Sequence, residues 1–349
     1  MLQSKLQEIY SRGAHPWNKN IGFARLFACV AVVLLHTSAR TIYLYGSVDS
    51  WKWELGNLIN GSVRWCVPMF VLISGALAFR SPILDAQKFF GDRVARVFLP
   101  LFFWTVAYFI WRKYILHEVL NPVIIWNDLF AGQPYYHLYF LFLIAGLYIF
   151  SPVLSPAVES ASDKIAVQSC FTILAFAALA LALGTWSPNV LTLFVPYLGY
   201  YFLGPFLAKV ASPAPMRLVF LYGFASFLTA FFTSALVRYL GSVGGSALYF
   251  YKYFSPTTVI QCVALFIFIN SIKIKFISSR RLYSLGELTL GIYLIHPMIL
   301  ESLRMLWASR FPFVLDPVID IPVTATLTVA ISAAAVLVLK KVPFLRTVV

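Results

Sequence analysis

The chain has 349 residues, of which 60% are hydrophobic and 11% charged, and its mean hydropathy is +0.81; this balance excludes a water-soluble globule. A net charge of +14 would suit nucleic acid, but the basic residues lie between apolar runs and form no patch interleaved with aromatics. An all-α, polytopic membrane protein remains.

Residues 1–20 are polar and mildly basic, lack an apolar run followed by a small-residue cleavage site, and read as a short cytoplasmic segment. At about 20 apolar residues per crossing, the remainder divides into ten spans: roughly 21–39, 57–79, 94–116, 136–154, 165–185, 190–210, 216–239, 250–272, 283–306 and 319–339. Both termini then share one side. With that side inside, 18 of the 27 basic residues face inward, Lys5 and Arg12 among them, so the positive-inside rule predicts cytoplasmic termini. Residues 21–339 form one membrane domain without repeats, and 340–349 form a cytoplasmic tail. Cys29, Cys66, Cys170 and Cys262 sit in apolar runs without CxxC spacing, so they read as small core residues and indicate neither disulfides nor a metal site.

The first span carries Arg25 and His36, eleven residues apart. Eleven helical steps return to within about 20° of the start and rise about 16 Å, so the two side chains share a face and suggest a polar track through the bilayer. An ionisable residue inside a membrane helix is a functional hypothesis by default, because placing it there costs about 2.5 to 3.5 kcal/mol at the centre. In the second span Arg64 stands beside Trp65 and ten residues before Ser74-Gly75. That small pair either lets two helices approach closely or opens space for a ligand. Arg93 and Arg96, spaced i, i+3 where the third span begins, share a helix face. They are either snorkelling positive-inside anchors or a guanidinium fork for phosphates.

The fourth span opens with Tyr135-Tyr136-His137, and the ninth runs through Gly291-Ile-Tyr293-Leu-Ile-His296-Pro297. In the topology above, His36, His137 and His296 all fall in the outer half, from three different spans. Any one of them could be a histidine satisfied by a neighbouring helix, and His137 alone is as well read so, whereas His36, on the same face as an arginine, reads as functional; His117, at a span end, reads as interfacial. Pro68, Pro100, Pro152, Pro196, Pro205 and Pro297 interrupt the spans, and kinks beside polar residues suggest a water-accessible cavity. Glu287 either pairs with an arginine on the cytoplasmic side or marks a helix N-terminus.

These residues resemble the acyltransferase 3 family of integral-membrane acyltransferases. The resemblance rests on Arg25 with His36, on Arg64-Trp-Cys-Val-Pro68 leading to Ser74-Gly75, on Arg93 with Arg96, on Tyr136-His137-Leu-Tyr139, and on Leu290-Gly291-Ile-Tyr293-Leu-Ile-His296. It is closest to the single-domain branch that O-acetylates surface saccharides, such as the enterobacterial common antigen. One departure is Gly22, where family members often carry Asp three residues before the arginine. The resemblance implies transfer of an acetyl or succinyl group from cytoplasmic acyl-CoA to a hydroxyl of an extracytoplasmic or lipid-linked saccharide, at a multi-pass protein of the bacterial inner membrane. It implies catalytic roles for His36 and Arg25, and donor binding by Arg93, Arg96, Arg64, Ser74 and Gly75. On the acceptor side it implies His137, His296, Tyr136 and Tyr293, with envelope polysaccharide biosynthesis proteins as partners beside the lipids. Imidazole suits proton transfer near neutral pH, as general base or as a covalent acyl carrier. The rival reading is a saccharide transporter or flippase, for which the paired broken helices of internal repeats are not evident; a non-catalytic scaffold would have no use for the aligned Arg25 and His36.

Overall fold

The computed structural model describes residues 19–210, 215–242, 247–275 and 277–349, all helices and connecting turns with no strand among them. Lys5, Arg12 and most of the expected N-terminal segment lie outside the described residues. Eight helical stretches are long and apolar enough to cross a membrane: Lys19–Ile42, Ser50–Ala78, Ala86–Tyr114, Tyr139–Ser160, Asp163–Ala182, Met216–Gly241, Leu248–Ser271 and Pro317–Leu339. Two of the ten expected crossings fall short of that measure. Within 190–210 a turn around Pro196 delays the helix to Leu198, which leaves only 13 residues. Within 283–306 the chain breaks at Glu287, and the helix that follows carries His296, Glu301 and Arg304.

The helices are α1 (Lys19–Ile42), α2 (Ser50–Ser62), α3 (Cys66–Ala78), α4 (Ala86–Arg93), α5 (Leu99–Tyr114), α6 (Pro122–Phe130), α7 (Tyr139–Ser160), α8 (Asp163–Ala182), α9 (Leu198–Val210), α10 (Met216–Ser242), α11 (Pro256–Ser271), α12 (Ser279–Gly286), α13 (Thr289–Arg310) and α14 (Pro317–Leu339). Helix α1 packs against α2, α3, α11, α12, α13 and α14, which makes it the central element. Its buried positions are mostly small, including Gly22, Ala24, Ala28 and Ala31. Small side chains let neighbouring backbones come close in a bilayer, where water supplies no hydrophobic drive between helices.

Prolines decide where the helices break. A proline has no N–H for the carbonyl four residues earlier. Pro68 therefore cannot bond to the Arg64 carbonyl, and the long Ser50–Ala78 stretch parts at Val63–Trp65, with Arg64 at the break. Pro100 likewise leaves the Arg96 carbonyl without its donor, and Val94–Phe98 forms a π-helical turn between α4 and α5.

Helices α3 and α9 cross backbone to backbone. A Cβ on Gly75 would lie 1.8 Å from the Tyr201 carbonyl oxygen, and one on Gly204 would lie 2.1 Å from that of Leu72. Gly75 therefore has the close-packing role that the Ser-Gly pair left open. Residues 340–349 are no loose tail: Val348 is fully buried, and its carbonyl accepts from Trp104 Nε1 at 2.8 Å.

Candidate active site

Arg25 and His36 are both half-buried on the face of α1 expected for them. Ala28, Cys29 and Val32 lie between them along that face, exposed by only 0%, 2% and 1%. The expected polar track is thus two stations separated by an apolar interval.

At the His36 station three imidazoles converge. The ring centroid of His36 is 5.3 Å from that of His296, which is 5.5 Å from that of His137. His137 and His296 are fully buried, and of the three only His36 keeps accessible surface. Tyr136 stands 4.8 Å from the His36 ring and is 41% exposed, so it forms an open aromatic wall beside it. Tyr293 is buried and donates its hydroxyl to the His137 carbonyl.

Pro297 orients the His296 ring. It deprives the Tyr293 carbonyl of a backbone donor, and His296 Nδ1 lies 2.7 Å from that oxygen. A carbonyl only accepts, so Nδ1 carries the proton and Nε2 holds a lone pair. That Nε2 is buried without a partner, as are both ring nitrogens of His137. The Leu294 carbonyl near His137 accepts from the Tyr108 hydroxyl at 2.8 Å. The Tyr108 ring lies 4.8 Å from His137 and stacks 4.5 Å from Tyr135. Tyr135 donates to Glu301, whose other carboxylate oxygen accepts from Trp111 Nε1 at 3.3 Å.

A buried ionic clamp fixes the surrounding helices. Asp320 of α14 is fully buried and lies 3.2 Å from Arg304 of α13 and 3.8 Å from Arg40 of α1. Its second oxygen accepts from Thr324 at 2.7 Å, and Arg304 also donates to the carbonyl of Thr37, next to His36, at 2.7 Å. Arg64 belongs to this end as well, since His36 lies within electrostatic reach of both Arg64 and Arg304. Its guanidinium donates to Asn60 Oδ1 and to the Tyr251 carbonyl (3.1 Å) and stacks 4.2 Å over the Tyr251 ring. Asn60 in turn holds the Leu35 carbonyl at 3.1 Å and the Ser38 hydroxyl at 2.9 Å.

The second station gathers cations. Arg25 lies within electrostatic reach of Arg96, Tyr148 and Glu287. Arg93 stacks on Phe89 (4.6 Å) and Tyr148 (5.3 Å), and Arg96 is exposed in the π-helical turn, so the two do not share one α-helical face. Among the described residues, none of Arg25, Arg93 and Arg96 has an ion-pair partner. Glu287 pairs instead with Lys340, at 3.8 Å. Gly22 is buried and brings no acid to Arg25.

Of the expected donor-side residues, then, Arg93 and Arg96 gather near Arg25, whereas Arg64 sits with His36. Ser74 is half-buried, one turn beyond Phe70, whose ring lies 6.4 Å from that of Tyr293. Of the expected acceptor-side residues, Tyr136 and His296 stand against His36, and His137 and Tyr293 lie behind them, 5.5 and 5.8 Å from the His296 ring. Sequence reasoning missed Tyr148, Asn60, Glu301, Arg304 and Asp320. The last three are ionisable groups inside apolar spans, the same signal that exposed Arg25. Among the described residues no group of three or more His, Cys, Asp or Glu is placed to hold a metal ion.

A helical bundle with enough apolar helices for several crossings, a cluster of cations and a remote histidine cluster together define a multi-pass membrane protein with two separated polar stations. The acyltransferase-domain family matches residues 18–337, nearly the whole chain, and the chain belongs to that acyltransferase 3 family. It is accordingly a membrane acyltransferase. No curated protein and no solved structure matches it.

Proposed function

We propose that this acyltransferase moves an acetyl group, with succinyl as the alternative, from acyl-CoA to a hydroxyl of an extracytoplasmic or lipid-linked saccharide in the bacterial inner membrane. The observation that carries the reading is the separation of unpaired cations at Arg25 from an accessible imidazole at His36, about 16 Å along one helix face. Such a span suits an elongated donor whose phosphates lie far from its reactive thioester. Cytoplasmic termini, from the distribution of basic residues, put Arg25, Arg93 and Arg96 on the side where acyl-CoA is made. Residues 21–339 then act as one domain, with α9 and α13 completing ten crossings beside the eight apolar stretches.

His36 takes the proton of the acceptor hydroxyl as its oxygen attacks the thioester carbonyl. Collapse of the tetrahedral intermediate breaks the C–S bond, and the imidazolium returns the proton to the departing thiolate, so the products are the ester and the free thiol. Tyr136 offers its exposed face to the sugar ring. His296 and His137 present lone pairs in the second rank, and the Tyr108, Tyr135 and Glu301 groups extend the polar cluster behind them.

The test is transfer of labelled acetyl from acetyl-CoA to a saccharide acceptor by purified protein in liposomes, with wild type compared against His36→Ala. Wild-type rates in the variant would overturn the catalytic role of His36, and acceptor crossing the bilayer without acyl-CoA would favour a transporter.

A further inference from the structure

A cavity of about 150 Å³ lies beside Arg64, Tyr251 and Lys252, bounded by Ala39 and Ile42 of α1, by Tyr43 and by Leu248. Ala39 stands three residues beyond His36, one turn further along α1, and Tyr43 follows in the turn after the helix ends. The cavity is therefore the next space on the face that carries the imidazole. At roughly 30 Å³ per water it holds about five waters, the size of a carboxylate or phosphate group with its immediate attachment.

Its charge is lopsided. Arg64 spends its bonds on neutral groups, the Asn60 side chain and the Tyr251 carbonyl, and its Nε is buried without a partner. Lys252 is exposed and, among the described residues, makes no ion pair. Glu54, the acid within electrostatic reach of Tyr251, is held by Arg238 at 3.1 Å. Two cations thus face one small cavity without an acid, and two tyrosine rings flank it. A buried guanidinium without a counter-charge is stable where an anion visits.

We propose that the cavity binds an anionic group of the acceptor, so that the substrate is an acidic saccharide whose reactive hydroxyl meets His36 while its charged group rests between Arg64 and Lys252. This rests on the acyl-transfer reading above. The anionic oxygens belong either to a sugar carboxylate or to the phosphates of a lipid linkage.

The full-length protein in phosphatidylcholine nanodiscs is titrated calorimetrically, without acyl donor, with a glucuronic-acid oligosaccharide, its neutral glucose counterpart and inorganic pyrophosphate. Wild type, Lys252→Glu and Arg64→Gln are compared at low and high salt. An anionic probe is expected to bind about tenfold more tightly than the neutral sugar, the scale of one charge-assisted hydrogen bond. The preference is expected to weaken with salt and to vanish in Lys252→Glu, an exposed substitution that leaves the Arg64 contacts in place. Preference for the uronate identifies a sugar acid, and binding of pyrophosphate alone identifies a lipid-linked phosphate. Equal binding of charged and neutral sugars with no pyrophosphate bound, or a preference that survives both substitutions, overturns the inference. Acyl transfer measured in parallel separates the two readings: anion preference without transfer sinks the proposed function alone, and transfer without preference sinks the anion site alone.

Discussion

His296 Nδ1 occupies the carbonyl of Tyr293 at 2.7 Å, the acceptor that Pro297 leaves vacant. One missing N–H thereby selects the tautomer of a buried imidazole and leaves Nε2 with its lone pair in a ring 5.3 Å from that of His36. Pro297→Ala restores the competing backbone donor. We expect kcat to fall by about tenfold or more, the scale on which a second-rank partner or a wrong tautomer acts, with KM for the acyl donor little changed. Steady-state kinetics of the purified variant decide it, and an unaltered kcat would show that the ring does not depend on this bond.

Substitution of His36 is expected to be the most damaging of the three histidine changes, since His36 alone keeps accessible surface. His36→Gln should lower kcat by roughly 10²- to 10⁴-fold, the range of a lost general base. His137→Gln and His296→Gln should cost less. A ranking led by His137 would move the proton acceptor off α1.

Arg25→Ala should raise KM for acyl-CoA by about 10- to 150-fold, the equivalent of one lost charge-assisted contact. An acyl-pantetheine donor without phosphates should be used equally well by wild type and variant. If both donors suffer alike, Arg25 supports the helix and not the nucleotide end of the donor.

The Asp320 clamp should answer in stability. Asp320→Ala leaves Arg304 and Arg40 without their buried partner, and breaking such a pair costs about 3 kcal/mol. Thermal unfolding in detergent should show the loss, and Asp320→Ala combined with Arg304→Met should recover part of it. An unchanged unfolding temperature in the single variant would mean that solvent already screens the pair.

Gly75→Ala separates packing from ligand binding. Its Cβ would press on the Tyr201 backbone, so the crossing of α3 and α9 must open, at about 1 to 3 kcal/mol. Lower stability with an unaltered KM for the donor is the expected pattern. A raised KM at unchanged stability would restore the ligand-space reading of this residue.

Much of this arrangement is legible in the sequence because a bilayer makes ionisable residues conspicuous. Helical spacing alone aligned Arg25 with His36, and span direction put His137 and His296 in the same half of the bilayer as His36. The meeting of Tyr136 and His296 at His36, with His137 and Tyr293 behind them, was not legible, since it depends on which helices neighbour α1. The resemblance implied donor binding for Arg64, but the side chain stands near His36, where the break before Pro68 lets it donate to Asn60. The common face expected of Arg93 and Arg96 presumes an α-helix through both, and a π-helical turn begins between them. Glu301 and Asp320 were visible as acids in apolar spans, but their partners lie on other helices.

The apolar interval of Ala28, Cys29 and Val32 bears on the membrane as well as on catalysis. A face with a cation at one end and imidazoles at the other would conduct protons if polar groups or water linked the two. These three packed side chains offer no donor strong enough to relay one, and they insulate the cationic end from the basic end. Along this face of α1 no side chain links the cationic end to the imidazoles, although both ends hold groups able to carry charge.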